Sequence, residues 1–244
     1  MSNFFTNFPS IDYKFGNEST TDNFQNLAVY ADVVDQIKDE TSVYTDINLI
    51  ENERPDQTSF RLYGTANYHW TFYLLNDKIR EQGWPITRAN VLEKAKKDYP
   101  NTVITTRSSL GDVKGFFKTS DVITGRSSGA TATIIHRYLD LGQLVITNIN
   151  NGPFQASELL EVTGTTNTIV INSITQEHLS VHHYEDANKV IQDIDPTLAP
   201  PAEYTPITYL DRLHTQNNNL RQIRVFKPDL IQTVVDSFNE AVSS

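Results

Sequence analysis

Apolar residues in the first part of the chain recur at helical spacing, with one short strand-like segment among them. Residues 27–38 carry apolar side chains at i, i+3 and i+4 intervals, which predicts a helix, and residues 43–50 predict a strand. A second helix is predicted to begin at Arg54-Pro55-Asp56, because proline suits the first helical turn. It is predicted to end at Gly64, because glycine readily adopts the left-handed conformation of a helix C-terminus.

Two further helices are predicted before residue 100. The first covers residues 67–75, and Asn76-Asp77 is expected to end it and to open a loop. The next is predicted to begin at Thr87, whose hydroxyl can cap a helix N-terminus, and to end at Tyr99-Pro100. Trp70, Tyr73 and Leu74 share one face of the first helix and are interpreted as core, and the second helix carries the apolar residues Val91, Leu92 and Ala95.

The pattern changes at residue 101, after which Gly, Ser, Thr and β-branched residues dominate until residue 173. Segments 117–121 and 154–158 form a weak repeat, Phe-x-x-Ser-Asp/Glu, each followed by Thr-Gly, which predicts two similar hairpins packed together. A small closed barrel is favoured over a flat sheet, because closure removes exposed strand edges. Its predicted strands are residues 122–124, 130–139, 144–149, 159–162 and 168–174.

The C-terminal part returns to mixed structure. Residues 178–186 are polar and aromatic, and the prolines of Asp195-Pro196 and Pro200-Pro201 predict an extended loop. A strand is predicted over residues 220–226, and Pro228 is expected to open a final helix with one apolar stripe. The whole pattern predicts an α+β protein with a barrel-like all-β part and a C-terminal strand and helix.

Composition narrows the classes of function. The formal net charge is −10, and the basic residues are scattered, so nucleic-acid binding is not expected. The absence of Cys excludes disulfides and thiolate metal sites. The first residues lack the pattern of a signal peptide, and no stretch approaches the ~20 apolar residues of a membrane-spanning helix. We therefore expect a soluble protein with no membrane partner that is made without export.

The N-terminal arm, residues 1–26, is rich in aromatic residues that lack clear periodicity. Phe4, Phe5 and Phe8 are the first of them. The arm either lies against its own domain or is buried by a partner. We favour the partner, because exposed apolar surface usually marks an interaction site.

Two patterns resemble sites of chemistry. Gly125-Arg126-Ser127-Ser128-Gly129 matches the G-x-S-x-G hydrolase elbow, but a strand pattern follows it where the elbow requires a helix, so a β-turn is predicted. His178, His182 and His183 cluster, but a strand would place their imidazoles on different faces, and a solvated or interface role is favoured over metal binding. We predict no catalytic residue, no cofactor and no metal site.

Two segments resemble the baseplate wedge subunits of T-even-type contractile-tailed phages, the gene-fifty-three product family. The first runs from Arg54-Pro55-Asp56 through residues 68–77 to Gly83-Trp84-Pro85-Ile86-Thr87. The second is residues 219–228, Asn-Leu-Arg-Gln-Ile-Arg-Val-Phe-Lys-Pro, with the helix that follows. With the aromatic arm, the resemblance covers about half of the chain.

The resemblance implies a myovirus virion structural protein that is assembled in the host cytoplasm in multiple copies. It would clamp neighbouring wedge arms and link them to hub and tube-proximal proteins. The resemblance also implies a LysM-like region, two helices on a two-stranded sheet, which residues 43 to about 90 could build. The chain is therefore predicted to divide into four parts. They are the arm and first helix (residues 1–42), the LysM-like domain (43–100), the inserted β domain (101–176) and the C-terminal part (177–244).

A LysM-like region raises a rival function, a peptidoglycan-binding module. In cell-wall-binding LysM domains two loops hold the glycan, and residues 51–56 and 77–85 correspond to them here. The clamp is favoured because the C-terminal signature and the inserted β domain are typical of virion assembly. Aromatic residues suit the buried centres of such interfaces. The candidate partner-binding residues are Phe4, Phe5, Phe8, Tyr68 and Trp84.

Overall fold

The computed structural model of the protein describes residues 9–17, 20–25, 41–106 and 115–243. The predicted helix over residues 27–38 and the candidate residues Phe4, Phe5 and Phe8 lie outside the described residues. The chain forms two compact units, residues 1–87 with 217–244 (unit 1) and residues 88–216 (unit 2). Both helices and strands are present, and one sheet is a closed barrel, so the α+β class and its barrel-like part are confirmed. The predicted division into four ranges stays a prediction.

Unit 1 contains two small antiparallel sheets and four helices in its described part. The first sheet is a hairpin of β1 (Ser10–Tyr13) and β2 (Asp22–Gln25), and the second pairs β3 (Tyr44–Asn48) with β13 (Gln222–Phe226). The helices are α1 (Pro55–Tyr63), α2 (Thr71–Leu75), α3 (Asp77–Gln82) and α6 (Ile231–Ser243).

Two of the predictions for unit 1 need correction. The strand that completes the sheet of β3 comes from the C-terminal part of the chain, so residues 43–90 alone supply only one of its strands. The segment after Asn76 is the helix α3 and not a loop. Asn76 is extended and precedes Asp77, whose negative charge favours a first helical turn, so these two residues begin a helix as well as ending one.

The core of unit 1 lies against the sheet of β3 and β13. Phe72 and Ile79 pack with Leu49, Ile223 and other buried residues on one side. A second cluster joins the sheet to the C-terminal helix and includes Leu75, Phe226, Ile231 and Val235. The predicted apolar stripe of the last helix is therefore the surface that packs on the sheet.

Unit 2 is built around a closed barrel whose strand order is β4-β7-β6-β5-β8-β9. The sequence predicted five of these strands, and β4 was missed. The interior is filled by aliphatic and aromatic side chains, including Ile104, Phe117, Ile134, Leu160 and Ile171. The strands are β4 (Thr102–Thr106), β5 (Val122–Gly125), β6 (Thr131–Tyr138), β7 (Gln143–Asn150), β8 (Leu159–Val162) and β9 (Thr168–Gln176).

The repeat predicted from sequence is a real structural repeat in the barrel. Ser120 donates its backbone N–H to Ile134, and Ser157 donates in the same way to Ile171. Both serines have positive φ, 76° and 66°. The hairpins β5–β6 and β8–β9 meet through the pairing of β5 with β8, around Thr124 and Glu161. The two hairpins therefore pack together as predicted, related by a local two-fold pseudo-symmetry.

The rest of unit 2 contains α4 (Arg88–Asp98), a small sheet and most of α5 (Tyr209–Asn219). The small sheet has the order β11-β10-β12, where β10 is Val181–Glu185, β11 is Ile191–Gln192 and β12 is Thr205–Thr208. Helix α5 was not predicted. The predicted helix after Thr87 is α4, and its Val91 and Ala95 are buried.

Candidate functional site

Of the two segments predicted as glycan-holding loops, residues 51–56 and 77–85, the second is mostly the helix α3, and only residues 83–85 follow that helix. The indole Nε1 of Trp84 donates a hydrogen bond of 2.8 Å to the carbonyl oxygen of Glu53. The indole also packs against the rings of Phe72 and Tyr73, at centroid distances of 5.8 and 6.2 Å. Trp84 therefore connects residues 51–56 to the segment that follows α3.

The first of these loops is held by an ion pair. Arg61 donates two hydrogen bonds to the carboxylate of Glu53, at 2.7 and 2.9 Å. The hydrogen bonds and charge of Arg61 lower the pKa of Glu53, against the effect of burial. The Glu53 side chain is 11% exposed and that of Arg61 is 38% exposed, and their two parallel hydrogen bonds fix residues 51–56 to α1.

Tyr68 lies in a separate cluster of unit 1. Its hydroxyl donates to Oε1 of Gln232 on α6, and its ring meets that of Tyr63 edge-on at 6.0 Å. Tyr68 and Trp84 are thus both half-buried and both have internal contacts, and they belong to different core clusters. Their role as partner anchors stays a prediction.

The hairpin of β1 and β2 carries the most exposed aromatic cluster among the described residues of unit 1. The ring of Phe15 meets that of Tyr13 at 5.0 Å and that of Phe24 at 5.8 Å. These three residues and Ile11 are between 45% and 54% exposed. Sequence reasoning counted them among the aromatic residues of the arm but did not select them. The alternation in Ser10-Ile11-Asp12-Tyr13 was the available signal.

One edge of the sheet of β3 and β13 is closed by a side chain. Asn76 donates to the carbonyl of Arg224 at 2.8 Å and accepts from the Arg224 N–H at 2.8 Å. A second Nδ2 hydrogen bond goes to the carbonyl of Phe72 at 2.7 Å. Asn76 therefore makes the pair of hydrogen bonds that a neighbouring strand would make, and this edge is not free for strand addition at Arg224.

The G-x-S-x-G segment connects β5 to β6 as a turn, as predicted. The carboxylate of Glu158 accepts from the backbone N–H groups of Ser127 and Ser128, from the Ser128 hydroxyl and from the Gln155 N–H, at 2.6–3.1 Å. A Cβ at Gly125 would lie 2.5 Å from Oγ of Ser128 and 2.7 Å from both Glu158 oxygens, so a larger residue would displace these two side chains. The serines thus fold around an internal carboxylate and precede a strand, unlike the serine of a hydrolase elbow.

The histidine cluster differs from its prediction in one respect. His182 and His183 lie on β10 as expected, but their Nδ1 atoms are only 2.9 Å apart, so the two rings do not point to opposite faces. The pairing of β10 with β12 has a register shift between Val181 and His183, and such a bulge interrupts the alternation of side chains. His178 lies before this strand, in a short 3-10 turn.

In the parts of the chain that the structure describes, no group of three His, Asp or Glu side chains could hold a metal ion. No helix among those residues combines the length and the apolar character that a bilayer crossing requires. Comparison of the sequence with protein-family models and with curated proteins finds no match.

Proposed function

We propose that this protein is a non-enzymatic structural subunit of a contractile phage tail, a baseplate wedge component that binds neighbouring wedge arms and hub or tube-proximal proteins. The observation that carries the proposal is the exposed aromatic cluster of Tyr13, Phe15 and Phe24. An isolated two-stranded hairpin is marginally stable in water, and contiguous exposed aromatic surface is typical of an interface. A partner that buries these rings gains the hydrophobic contribution that the free protein lacks.

The element order of unit 1 supports the LysM-like part of the proposal. Strand β3 is followed by α1, α2 and α3, and β13 closes an antiparallel two-stranded sheet with β3. We take this as helices on a two-stranded sheet, with residues 88–216 inserted along the chain before the closing strand. The two segments that resemble the wedge family, residues 54–87 and 219–228, both belong to this unit.

The rival function is peptidoglycan binding at residues 51–56 and 77–85. The position of Trp84 argues against it, because its indole packs on Phe72 and Tyr73 and its Nε1 is used by Glu53. A glycan that stacked on this indole would have to displace its packing and its hydrogen bond. The loops are thus better suited to stabilising unit 1 than to holding a sugar chain.

Parallel binding assays test the proposal. Wild-type protein and the double variant Phe15→Ser/Phe24→Ser are offered to purified wedge subunits and to purified cell-wall sacculi. We expect saturable wedge binding that weakens by about tenfold or more in the variant, as for loss of interface hot spots. Ile191→Ser, which changes an exposed apolar residue of unit 2, is the matched control and should bind normally. Sacculus binding without wedge binding would support the rival.

A further inference from the structure

The two adjacent histidines of β10 form the centre of a chain of hydrogen bonds that is independent of the proposed interface. Nη1 of Arg212, on α5, lies 3.1 Å from Nε2 of His182. Nδ1 of His182 lies 2.9 Å from Nδ1 of His183. Nε2 of His183 lies 3.0 Å from Oε1 of Glu185. The chain therefore runs from α5 to the end of β10.

The chemistry of its two ends fixes the direction of every hydrogen bond. A guanidinium only donates, so Nε2 of His182 must accept and its Nδ1 must carry the hydrogen. That N–H donates to Nδ1 of His183, whose Nε2–H then donates to Glu185, an acceptor when ionised. Both imidazoles are neutral in this arrangement, in opposite tautomers. Since Nδ1 of His182 carries a hydrogen, the two facing nitrogens cannot jointly bind a metal ion.

One added proton cannot be accommodated without breaking a contact. A proton on Nε2 of His182 would face the guanidinium of Arg212, with two donors and two positive charges in contact. A proton on Nδ1 of His183 would face the Nδ1–H of His182. If His182 changed tautomer to avoid this, its Nε2–H would again face Arg212. All three hydrogen bonds of the chain therefore form together only when both imidazoles are neutral.

The surroundings of His182 do not offer an alternative partner for that proton among the charged groups described. The ring of Tyr209 meets the imidazole edge-on at 4.9 Å. Asp211, next to Arg212, accepts hydrogen bonds from the N–H and hydroxyl of Thr208. On β10 itself, Glu185 accepts from His183 and not from His182. Arg212 is therefore the charged group that meets the free end of the His182 ring.

We infer that the His182–His183 pair is a proton-sensitive clasp, which holds α5 to β10 through Arg212 while both imidazoles are neutral and releases it when either is protonated. Burial, Arg212 and His183, in that order, lower the pKa of His182 below its ordinary value of 6.5. As pH falls, the unfolded chain binds the proton before the folded chain does. The contribution of the clasp to stability is complete above pH 6.5 and is lost as the pH falls through the lowered value.

Nitrogen NMR of the two imidazoles in the full chain tests the arrangement directly. At neutral pH we expect His182 as the Nδ1–H tautomer and His183 as the Nε2–H tautomer. The opposite tautomer at either ring, or a protonated ring, would overturn the clasp. Arg212→Gln removes the opposing charge and should raise the pH at which His182 titrates, whereas an unchanged midpoint would contradict the role of Arg212.

Hydrogen exchange tests the release of α5. On acidification from about pH 7.5 to about pH 4.5, which extends about two pH units below the ordinary imidazole pKa, the amides of residues 210–216 should lose protection by about tenfold or more, as for loss of one hydrogen bond to a charged group. His182→Gln can still accept from Arg212 and should lose this response. The control His136→Gln, at an exposed position of β6, should keep it. An unchanged response in His182→Gln, or none in the wild type, would refute the inference.

Discussion

Asn217 holds the backbone of Ile86 through both ends of its side-chain amide. Its Oδ1 accepts from the Ile86 N–H at 2.8 Å, and its Nδ2 donates to the Ile86 carbonyl at 2.9 Å. The amide is largely removed from water, since Asn217 is 8% exposed. These residues lie at the points where the chain leaves unit 1 and returns to it. The two ends of residues 88–216 are therefore fixed next to each other from within unit 1.

Replacement of residues 88–216 by a short Gly-Ser linker should leave unit 1 folded. The ends to be joined are already adjacent, and the clusters around Phe72 and Phe226 draw on unit 1 alone. We expect native-like circular dichroism and one cooperative thermal transition. In the shortened chain, Asn217→Ala should lower the free energy of unfolding by about 1–3 kcal/mol, because it removes both hydrogen bonds to the partly buried backbone of Ile86. Absence of cooperative unfolding would show that the two units share one core.

Glu158→Gln should destabilise unit 2 by about 2–3 kcal/mol, because an amide cannot accept at both positions where the carboxylate accepts from N–H and hydroxyl donors. Glu161→Gln is the matched control: its carboxylate pairs with Arg126 on the surface and its loss should cost no more than about 1 kcal/mol. Denaturant unfolding of both variants measures the difference. Equal effects would contradict the assignment of Glu158 as the centre of the turn.

The acid stability of unit 2 should depend on the same carboxylate. Burial opposes ionisation of Glu158, but hydrogen bonds from Gln155, Ser128 and Ser127 outweigh it and lower its pKa below the ordinary 4.5. The unfolded chain therefore takes up this proton first as the pH falls. The stabilisation is present above pH 4.5 and is lost through the lowered value. Unfolding measured as a function of pH should show a flatter acid slope in Glu158→Gln than in the wild type.

Ser127→Ala and Ser128→Ala should differ although the serines are neighbours. Glu158 uses only the backbone of Ser127, whereas the Ser128 hydroxyl donates to Glu158 and accepts from Ala130. We expect near-wild-type stability for Ser127→Ala and a loss of about 1–2 kcal/mol for Ser128→Ala. Neither the wild type nor Ser127→Ala should turn over ester or peptide substrates. Turnover that Ser127→Ala abolishes would restore the hydrolase interpretation.

Asn76→Ala should expose a strand edge. The change removes both hydrogen bonds to Arg224 and the one to Phe72, so we expect a loss of about 1–3 kcal/mol in unfolding free energy. The opened edge of β13 should also promote self-association, detectable by size-exclusion chromatography. Asn48→Ala, at an exposed position of β3, is the control. Unaltered stability in Asn76→Ala would mean that water replaces the amide without cost.

Elements with local start and stop signals were predicted well from the sequence. Helix α1 begins at Pro55 and its C-terminal residue is followed by Gly64 at φ 73°, both as predicted. These signals act through backbone conformations of one or two residues, so no knowledge of the fold is needed. Five of the six barrel strands were equally accessible, because β-branched residues and glycine-containing turns alternate at short intervals, whereas β4 was missed.

Features that depend on contacts between residues far apart in the chain could not be predicted from the sequence. Helix α5 ends in Gln216-Asn217-Asn218-Asn219, and asparagine has a low helix propensity. The contact that fixes Asn217 is its hydrogen bonding to the backbone of Ile86, which lies far away in the sequence. The contact of His182 with His183 depends on a bulge against β12, which side-chain alternation cannot reveal. The exposed rings of Tyr13 and Phe24 became candidates only when their strands were seen to pair.

The local two-fold relation around Thr124 and Glu161 gives the barrel of unit 2 the geometry of a symmetric homodimer interface. One Phe-x-x-Ser-acid hairpin alone would leave its first strand uncovered, and a second copy would cover it in the same antiparallel register as β5 and β8. In this part of the molecule, two hairpins of one polypeptide cover each other's first strand, as two separate chains would do in a dimer. Covalent linkage makes that association independent of protein concentration, and it allows the equivalent positions of the two halves to differ, as Asp121 and Glu158 do.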